Sequence, residues 1–416
     1  MMGSTATRFA KLLAWRPGAY LRASGVLFTW LSIRALAQTA LFILVARTLG
    51  ADGYGSLIAV MAVATFFTPL AGLGGQALLL RDGARDPQNL ARHLGDALRL
   101  WAISVLPLCF LAFLACRLLI PTALPAYAVA AIVLADLAGS SLLELLARAW
   151  QAIQRMGAFG AVMAGLILAR LLTFLAFLTV SPLTPAHWAI WYAAATTCYL
   201  VLVLVVAIQH LPSPLVSTKP TRHLALAALP FAFAGTAIRL QAEANKPILA
   251  RYEGLSGAGT FAAAQRITEL LLLPLQALLE TLIPRAYKAP DPFEATLRLG
   301  VLTLGAAAAA GAALASTAPL LPYFLGPSFE PSLHAVRLLA ALPTFFVVRS
   351  LLTVALAALD GQRHLPVVYG TAAGTGVLAT SCWVPQYGLP GAAAALYASE
   401  VASILIQLIL LRTKRR

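Results

Sequence analysis

Long apolar runs, separated by short polar stretches, repeat along the whole chain. Each run is long enough for an α-helix to cross the ~30 Å hydrocarbon core of a bilayer. Because every backbone amide inside lipid needs a partner, a spanning segment is either a helix or a strand of a closed barrel. The runs are too continuous for the alternating pattern of barrel strands. The pattern predicts an all-α polytopic membrane protein with about twelve transmembrane helices, at residues 26–46, 54–79, 98–119, 122–146, 157–180, 187–208, 224–250, 257–283, 296–324, 332–358, 365–384 and 389–411.

One short motif occurs at the end of the first run and again at the end of the seventh. Residues Ala46–Gly55 and Ala250–Gly259 both read A-R-x-x-G-x-x-G-x-G. Equivalent placement in both halves indicates an internal repeat, and two parallel halves are a typical plan for a membrane transporter. The glycines favour tight turns between antiparallel helices, so we interpret the motif as structural rather than as a ligand contact.

The composition supports the membrane class, and the basic residues predict its orientation. Of the 416 residues, 60% are hydrophobic and only 11% are charged, and the mean hydropathy is +0.84. The Lys and Arg residues that give a net charge of +15 sort to alternate sides of the spans, so the positive-inside rule places both termini in the cytoplasm. We predict a basic cytoplasmic N-terminal segment 1–25, an N-terminal six-helix bundle 26–210, a cytoplasmic linker 211–223, a C-terminal six-helix bundle 224–411 and a basic cytoplasmic tail 412–416.

Charged residues inside the spans are the strongest functional signal. Each costs about 2.5–3.5 kcal/mol at the bilayer centre, so such residues usually face a cavity or a partner. The seventh span carries Arg239, Glu243 and Lys246, which share one helical face. We expect that face to line a water-filled cavity or to form a salt-bridge ladder; both can hold together. If the intramembrane cations converge, they form an electropositive chamber suited to phosphate. The candidate substrate-binding residues are Arg34, Arg170, Arg239, Lys246, Arg266 and Arg349.

Candidates for ion coupling are the acids Asp136, Glu243 and Glu269. Asp136 has no partner on its own helix, whereas Glu144 and Arg148 have the spacing of an ordinary ion pair. The chain lacks a G-x-x-x-x-G-K-[ST] loop, and its six histidines show no paired ligand spacing. Basic patches interleaved with base-stacking aromatics are also lacking. We therefore predict no catalytic residues, no enzymatic activity, no cofactor, no metal and no nucleic-acid partner.

The first copy of the motif resembles the A-R-x-L-G-x-x-x-Y-G signature of bacterial polysaccharide transporters, the Wzx-type flippases of the multidrug/oligosaccharidyl-lipid/polysaccharide (MOP) exporter superfamily. Further similar segments, in the same order as in that family, are Gly72-Leu73-Gly74, Gln154-Arg155, Gln265-Arg266, Leu325-Gly326-Pro327-Ser328-Phe329 and Tyr387-Gly388-Leu389-Pro390-Gly391. The resemblance implies two parallel six-helix bundles around a central cavity, as in MATE transporters.

The resemblance also implies a function. It is flipping of a polyprenyl-pyrophosphate-linked oligosaccharide, such as an O-antigen (lipopolysaccharide), capsule or exopolysaccharide repeat unit. The cargo moves from the cytoplasmic to the outer leaflet of the bacterial inner membrane by alternating access. The implied partners are the lipid-linked oligosaccharide, membrane lipids, a proton or sodium counter-ion and a polysaccharide polymerase complex.

Four alternative functions stay open at this stage. A peptidoglycan-precursor flippase would usually have about two further spans, and a structural scaffold of a polysaccharide assembly complex would not explain the charges of the seventh span. A cation-coupled multidrug exporter of the same superfamily would favour acids over arginines in its cavity, which is the reverse of the pattern here. A membrane-embedded glycan polymerase or ligase would usually carry a large outer loop, and the predicted loops of this chain are short.

Overall fold

The computed structural model describes residues 19–121, 124–180, 182–215, 221–288, 292–359, 361 and 364–415. Most of the predicted segment 1–25, residues 216–220 of the linker and Arg416 of the tail lie outside the described residues. The described chain is almost entirely helical and contains no β-strand. Its helices are α1 (Ala19–Phe67), α2 (Gly75–Arg85), α3 (Leu90–Leu119), α4 (Ala126–Val133), α5 (Ser141–Ala152), α6 (Met156–Phe177), α7 (Pro185–His210), α8 (Thr221–Glu243), α9 (Asn245–Tyr252), α10 (Gly254–Lys288), α11 (Pro292–Thr317), α12 (Leu321–Leu325), α13 (Ser332–Leu339), α14 (Leu342–Ala358) and α15 (Leu365–Arg415).

Nine helical stretches within the described ranges are long and apolar enough to cross a membrane. Two of them, Gly25–Leu70 with 46 residues and Leu365–Thr413 with 49, are each about 70 Å long at ~1.5 Å per residue and so exceed two bilayer crossings. Each changes direction at a glycine with positive φ, at Gly50 (φ 69°) and at Gly388 (φ 56°), a conformation that a Cβ atom disfavours. The predicted all-α, multi-pass membrane fold is confirmed.

Several predicted spans are interrupted in the structure, among them 54–79, 296–324 and 332–358, and the interruptions of the seventh and fourth spans bear on the predicted site. The seventh span is split into α8 and α9 at Ala244. Pro247 explains this break, because a proline has no N–H and its ring clashes with the carbonyl four residues earlier, here that of Glu243. The fourth span is interrupted between α4 and α5 by a π-helical segment, Leu134–Ser140. Both interruptions lie next to charged residues that were predicted to be functional.

The two copies of the motif pack directly against each other. A Cβ on Gly55 would lie 2.8 Å from the carbonyl carbon of Leu255, and one on Gly259 would lie 3.1 Å from that of Ala51. Ala51 and Leu255 occupy the same position in the two copies, as do Gly55 and Gly259. The contact is therefore reciprocal, as expected for two halves related by a pseudo-two-fold axis. We call this contact the glycine seam.

The largest apolar core surrounds the glycine seam and is shared by both halves. The ring of Tyr54 lies between those of Phe42 and Phe329, with centroid distances of 5.5 Å and 6.1 Å. The amide of Ala51 donates to the Ser328 hydroxyl at 3.3 Å. The predicted division into bundles 26–210 and 224–411 stays a prediction, but the seam shows where the two halves meet.

Candidate functional site

A cavity of about 370 Å³ opens between helices of the two halves. Its walls come from α1, the π-helical segment, α5, α6, α7, α8, α9 and α10. Five of the six predicted binding residues line it, together with four acids. The cations are Arg34, Arg170, Arg239, Lys246 and Arg266, and the acids are Asp136, Glu144, Glu243 and Glu269. The intramembrane charges on five different segments of the chain therefore converge, while their roles in binding and coupling stay predictions.

The half of the cavity built by the first repeat contains a buried charge cluster. The Arg170 guanidinium lies 3.0 Å from Asp136 Oδ1 and donates to the hydroxyls of Thr196 (3.1 and 3.0 Å) and Ser140 (3.0 Å). It also stacks 3.9 Å from the centroid of the Tyr192 ring, whose hydroxyl donates to Asp136 at 2.6 Å. Arg170 is only 7% exposed, so Asp136 and the Tyr192 ring neutralise and orient it.

The π-helical segment carries two members of this cluster, Asp136 and Ser140. A π-helical turn holds one more residue than an α-helical turn and is frequent at functional sites. In this segment the Ser140 hydroxyl donates to the carbonyl of Ala135, five residues earlier, at 3.1 Å. Gly139 faces α7, and a Cβ there would lie 2.8 Å from Thr196 Cγ2. The missing side chain at Gly139 thus allows α7 to approach closely enough for Thr196 to reach Arg170.

The half of the cavity built by the second repeat contains two ion pairs. The Lys246 ammonium pairs with Glu243 across the break between α8 and α9, and Arg266 lies 3.0 Å from Glu269 on α10. The Gln265 side chain donates to the carbonyl of Ala242 (2.9 Å) and to Glu269 (3.1 Å). The face of the seventh span therefore both lines the cavity and forms part of an ion-pair ladder.

Two cations remain without a salt-bridge partner. Within the described residues, no hydrogen bond or ion pair joins the guanidinium of Arg34 or Arg239 to another side chain. Arg34 is within electrostatic range of Arg239, Arg266, Arg170 and Glu144. Glu144 is already paired with Arg148 at 3.0 Å, which does not line the cavity. The cavity thus presents two uncompensated positive charges, one from each repeat.

Arg349 does not line this cavity, so the expected convergence holds for the other five cations and not for Arg349, whose role in binding stays a prediction. Its Nε lies 2.6 Å from Glu400 Oε2, between α14 and α15, and neither residue lines the cavity. The two residues are 51 positions apart, so spacing along one helix could not reveal the pair. The same limitation concealed the partner of Asp136 on α6. Among the described residues, no group of three or more His, Cys, Asp or Glu side chains is suited to a metal ion.

Comparison with known proteins identifies a sequence family and a fold. The family described as polysaccharide biosynthesis protein matches residues 20–289, and no curated protein matches the chain. Among solved structures, the chain is similar to an inward-facing multidrug resistance MATE family transporter of the MOP superfamily, with a TM-score of 0.67, 15% identity and coverage of 94% of this chain and 99% of that one.

Two further solved structures share the fold. The lipid II flippase MurJ in an inward closed conformation gives a TM-score of 0.73 at 12% identity, covering 93% of this chain and 87% of that one. A MOP superfamily transporter from Pyrococcus furiosus Vc1, whose binding pocket is described as having reverse polarity, gives a TM-score of 0.60 at 13% identity, covering 95% of this chain and 94% of that one. The MATE-like architecture predicted from the resemblance is confirmed.

Proposed function

The chain belongs to the polysaccharide biosynthesis protein family, and we propose that it is a flippase for a polyprenyl-pyrophosphate-linked oligosaccharide. The cargo would be an O-antigen, capsule or exopolysaccharide repeat unit, moved from the cytoplasmic to the outer leaflet of the bacterial inner membrane. Both termini would be cytoplasmic, and a polysaccharide polymerase complex would receive the product. The fold is that of a multi-pass membrane protein with MATE-like architecture.

The observation that carries this proposal is the pair of uncompensated cations in the cavity. Arg34 lies on α1 of the first repeat and Arg239 on α8 of the second, and both face the same space. A guanidinium binds phosphate oxygens with two parallel hydrogen bonds. A pyrophosphate carries a phosphoryl group for each guanidinium, so one cargo molecule could contact both halves at once. Contact with both halves gives the cargo a different affinity for the two conformations, and a ligand shifts a conformational equilibrium only through such a difference.

The paired acids supply a route for ion coupling. A phosphate oxygen that approaches Arg170 competes with Asp136 for the guanidinium, so cargo binding and this ion pair influence each other. Glu243 and Glu269 are paired in the same way with Lys246 and Arg266.

Export of cationic small molecules is the second candidate function. It is favoured by the four carboxylates on the cavity wall and requires that the cation displaces Arg or Lys from at least one of them. The flippase proposal is preferred because each of these acids already has a basic partner at 3.0 Å or closer, whereas two cavity cations have none.

The test is lipid analysis of cells that lack this protein. We expect build-up of the complete polyprenyl-pyrophosphate-linked oligosaccharide, measured by mass spectrometry, together with loss of the mature surface glycan. Absence of build-up with an intact surface polymer would reject the flippase, and drug accumulation would then be measured in the same cells.

Substitutions of the two uncompensated arginines test the role of the cavity. In cells that express Arg34→Ala or Arg239→Ala, we expect the same build-up because one phosphate contact is lost, with the protein still present in the membrane. Arg239→Lys keeps the charge but loses the bidentate geometry of the guanidinium, so it should give an intermediate build-up of the lipid-linked oligosaccharide. Arg337→Ala is the matched control, since this exposed arginine does not line the cavity. Full export by both Ala variants would contradict the proposal.

A further inference from the structure

A second cavity, of about 210 Å³, lies beside the first between α1, α10, the α11–α12 region and α13. Its wall is almost entirely apolar: Thr39, Phe42, Ile43, Ile267, Leu270, Leu314, Thr317, Ala318, Leu320, Leu321, Phe324, Leu325 and Val336. We call it the apolar pocket. It contains no charged residue, in contrast to the central cavity.

The apolar pocket and the central cavity share one wall. Phe42 lines both spaces. Successive residues on an α-helix point about 100° apart, and α10 uses this property: Arg266 faces the central cavity and Ile267 faces the apolar pocket. On α1, Gln38 and Thr39 divide between the two spaces in the same way. A charged chamber and an apolar pocket therefore lie on adjacent sides of the same two helices.

We propose that the apolar pocket binds a section of the hydrocarbon chain of the cargo while the pyrophosphate is held in the central cavity. This inference rests on the proposed function and extends it from the head group to the lipid. The juxtaposition suits a ligand with an anionic group at one end of a long apolar chain. An apolar cavity of about 150 Å³ can hold a benzene molecule, so the pocket has room for a short stretch of chain and not for the whole lipid.

The remaining chain needs a route to the bilayer, and the rim of the pocket provides one. Leu320 and Phe324 line the pocket and are at the same time 54% and 51% exposed. The neighbouring Tyr323 is 80% exposed. These side chains belong to a helical stretch, Thr303–Leu325, that is long and apolar enough to span a membrane, so in a bilayer their exposed faces would contact lipid. A chain that leaves the pocket past Phe324 therefore enters an apolar medium directly.

The experiment uses the full-length protein in phospholipid nanodiscs and a polyprenyl pyrophosphate with a photoreactive diazirine in the isoprene units nearest the pyrophosphate. After illumination, labelled residues are located by peptide mass spectrometry. We expect label on Ile43, Ile267 and Leu270, and we expect unlabelled polyprenyl pyrophosphate to remove it while polyprenol, which lacks the phosphates, does not. Label that falls only on lipid-facing residues such as Phe110, 69% exposed, would overturn the inference.

Substitutions that fill the apolar pocket are the second part of the photolabelling experiment. Ile267→Trp should lower labelling within the pocket at least five-fold. Thr317→Trp, at an exposed position that tolerates a larger side chain, should act in the same direction. Leu273→Trp is the matched control, because Leu273 is on the same helix, is 45% exposed and lines neither cavity. Equal labelling in all three variants would overturn the inference.

The outcomes separate this inference from the proposed function. Suppose that label on central-cavity residues is removed by unlabelled polyprenyl pyrophosphate and that no label falls in the apolar pocket. This result would refute binding of the hydrocarbon chain in the apolar pocket and leave the proposed function standing. A diazirine phospholipid that labels the pocket and is not displaced by polyprenyl pyrophosphate would identify an ordinary lipid site and also refute it. No competable label anywhere, combined with normal glycan lipids in cells that lack the protein, would refute both.

Discussion

The glycine seam predicts that a single added methyl group will shift the conformational equilibrium of the protein. Gly259→Ala places a Cβ 3.1 Å from the carbonyl carbon of Ala51 and 3.1 Å from the amide nitrogen of Gly55. Both are backbone atoms of another helix, so no side-chain rotation can relieve the overlap. The two halves must move apart where the two motif copies meet.

The size of the effect follows from the contact distances. Carbon atoms pack best at about 3.5–4.0 Å, and the carbonyl oxygen of Ala51 lies even closer to the added Cβ than the carbonyl carbon does, so the helices must separate by about 1 Å or more. Overpacking of this kind costs typically about 1–3 kcal/mol. If the seam is closed in only one of the two conformations of alternating access, this cost falls on that conformation alone. The open state should then gain about 5–150-fold in relative population.

The assay measures exposure of a cysteine placed in the seam. Ala258 is fully buried, so Ala258→Cys should react slowly with a membrane-impermeant maleimide, after the exposed Cys198 and Cys382 are replaced by Ser. Adding Gly259→Ala should raise the reaction rate in proportion to the open population. The control is Gly305→Ala, because a Cβ at Gly305 meets no atom within 4 Å. Equal rates in the two backgrounds would refute the reasoning.

The two buried ion pairs support further predictions, each measured by thermal unfolding of the purified protein alongside export per molecule in cells. Asp136→Asn leaves the buried Arg170 uncompensated and should destabilise the protein by about 3–5 kcal/mol; the double variant Asp136→Asn/Arg170→Gln should recover most of that stability without recovering export. Arg349→Gln should destabilise the protein by a similar amount, because it leaves Glu400 without its ion-pair partner. Export per folded molecule should stay normal, because the pair lies outside the cavity. A larger export defect for Arg349→Gln than for Arg239→Ala would contradict the assignment of these residues.

Hydropathy and charge patterns predict the membrane class and most of the cavity wall, because both depend on single residues in single helices. A charge in a span must face something other than lipid, and five of the predicted cations do. The identity of the partner depends on tertiary packing, which no spacing rule contains. Asp136 pairs with Arg170 across two helices, and Arg349 pairs with Glu400 across 51 residues. Tyr192, which both stacks on Arg170 and donates to Asp136, carried no sequence signal that distinguishes it from other aromatic residues in spans.

The repeat explains why the two uncompensated cations come one from each half. Arg34 lies twelve residues before Ala46, where the first motif copy begins, and Arg239 lies eleven before Ala250, where the second begins. The two arginines thus hold nearly equivalent positions. The interval between the arginine and the motif is one residue shorter in the second half, and the interruption at Ala244 lies within that interval. The arginines lie one residue away from the exact relation that pairs the glycines of the seam.

This arrangement gives the cargo a mechanical role under the proposed function. Without an anion, two like charges within electrostatic range oppose the approach of the two halves at the level of the cavity. A pyrophosphate between them converts that repulsion into a shared attraction and draws the halves together there. Because the glycine seam lies toward the other end of the same helices, closing the cavity would rock the halves about the region between the two contacts. Cargo binding therefore favours the conformation in which this end of the protein is closed and the other end is open. A ligand bound to one half alone would not draw the two halves together.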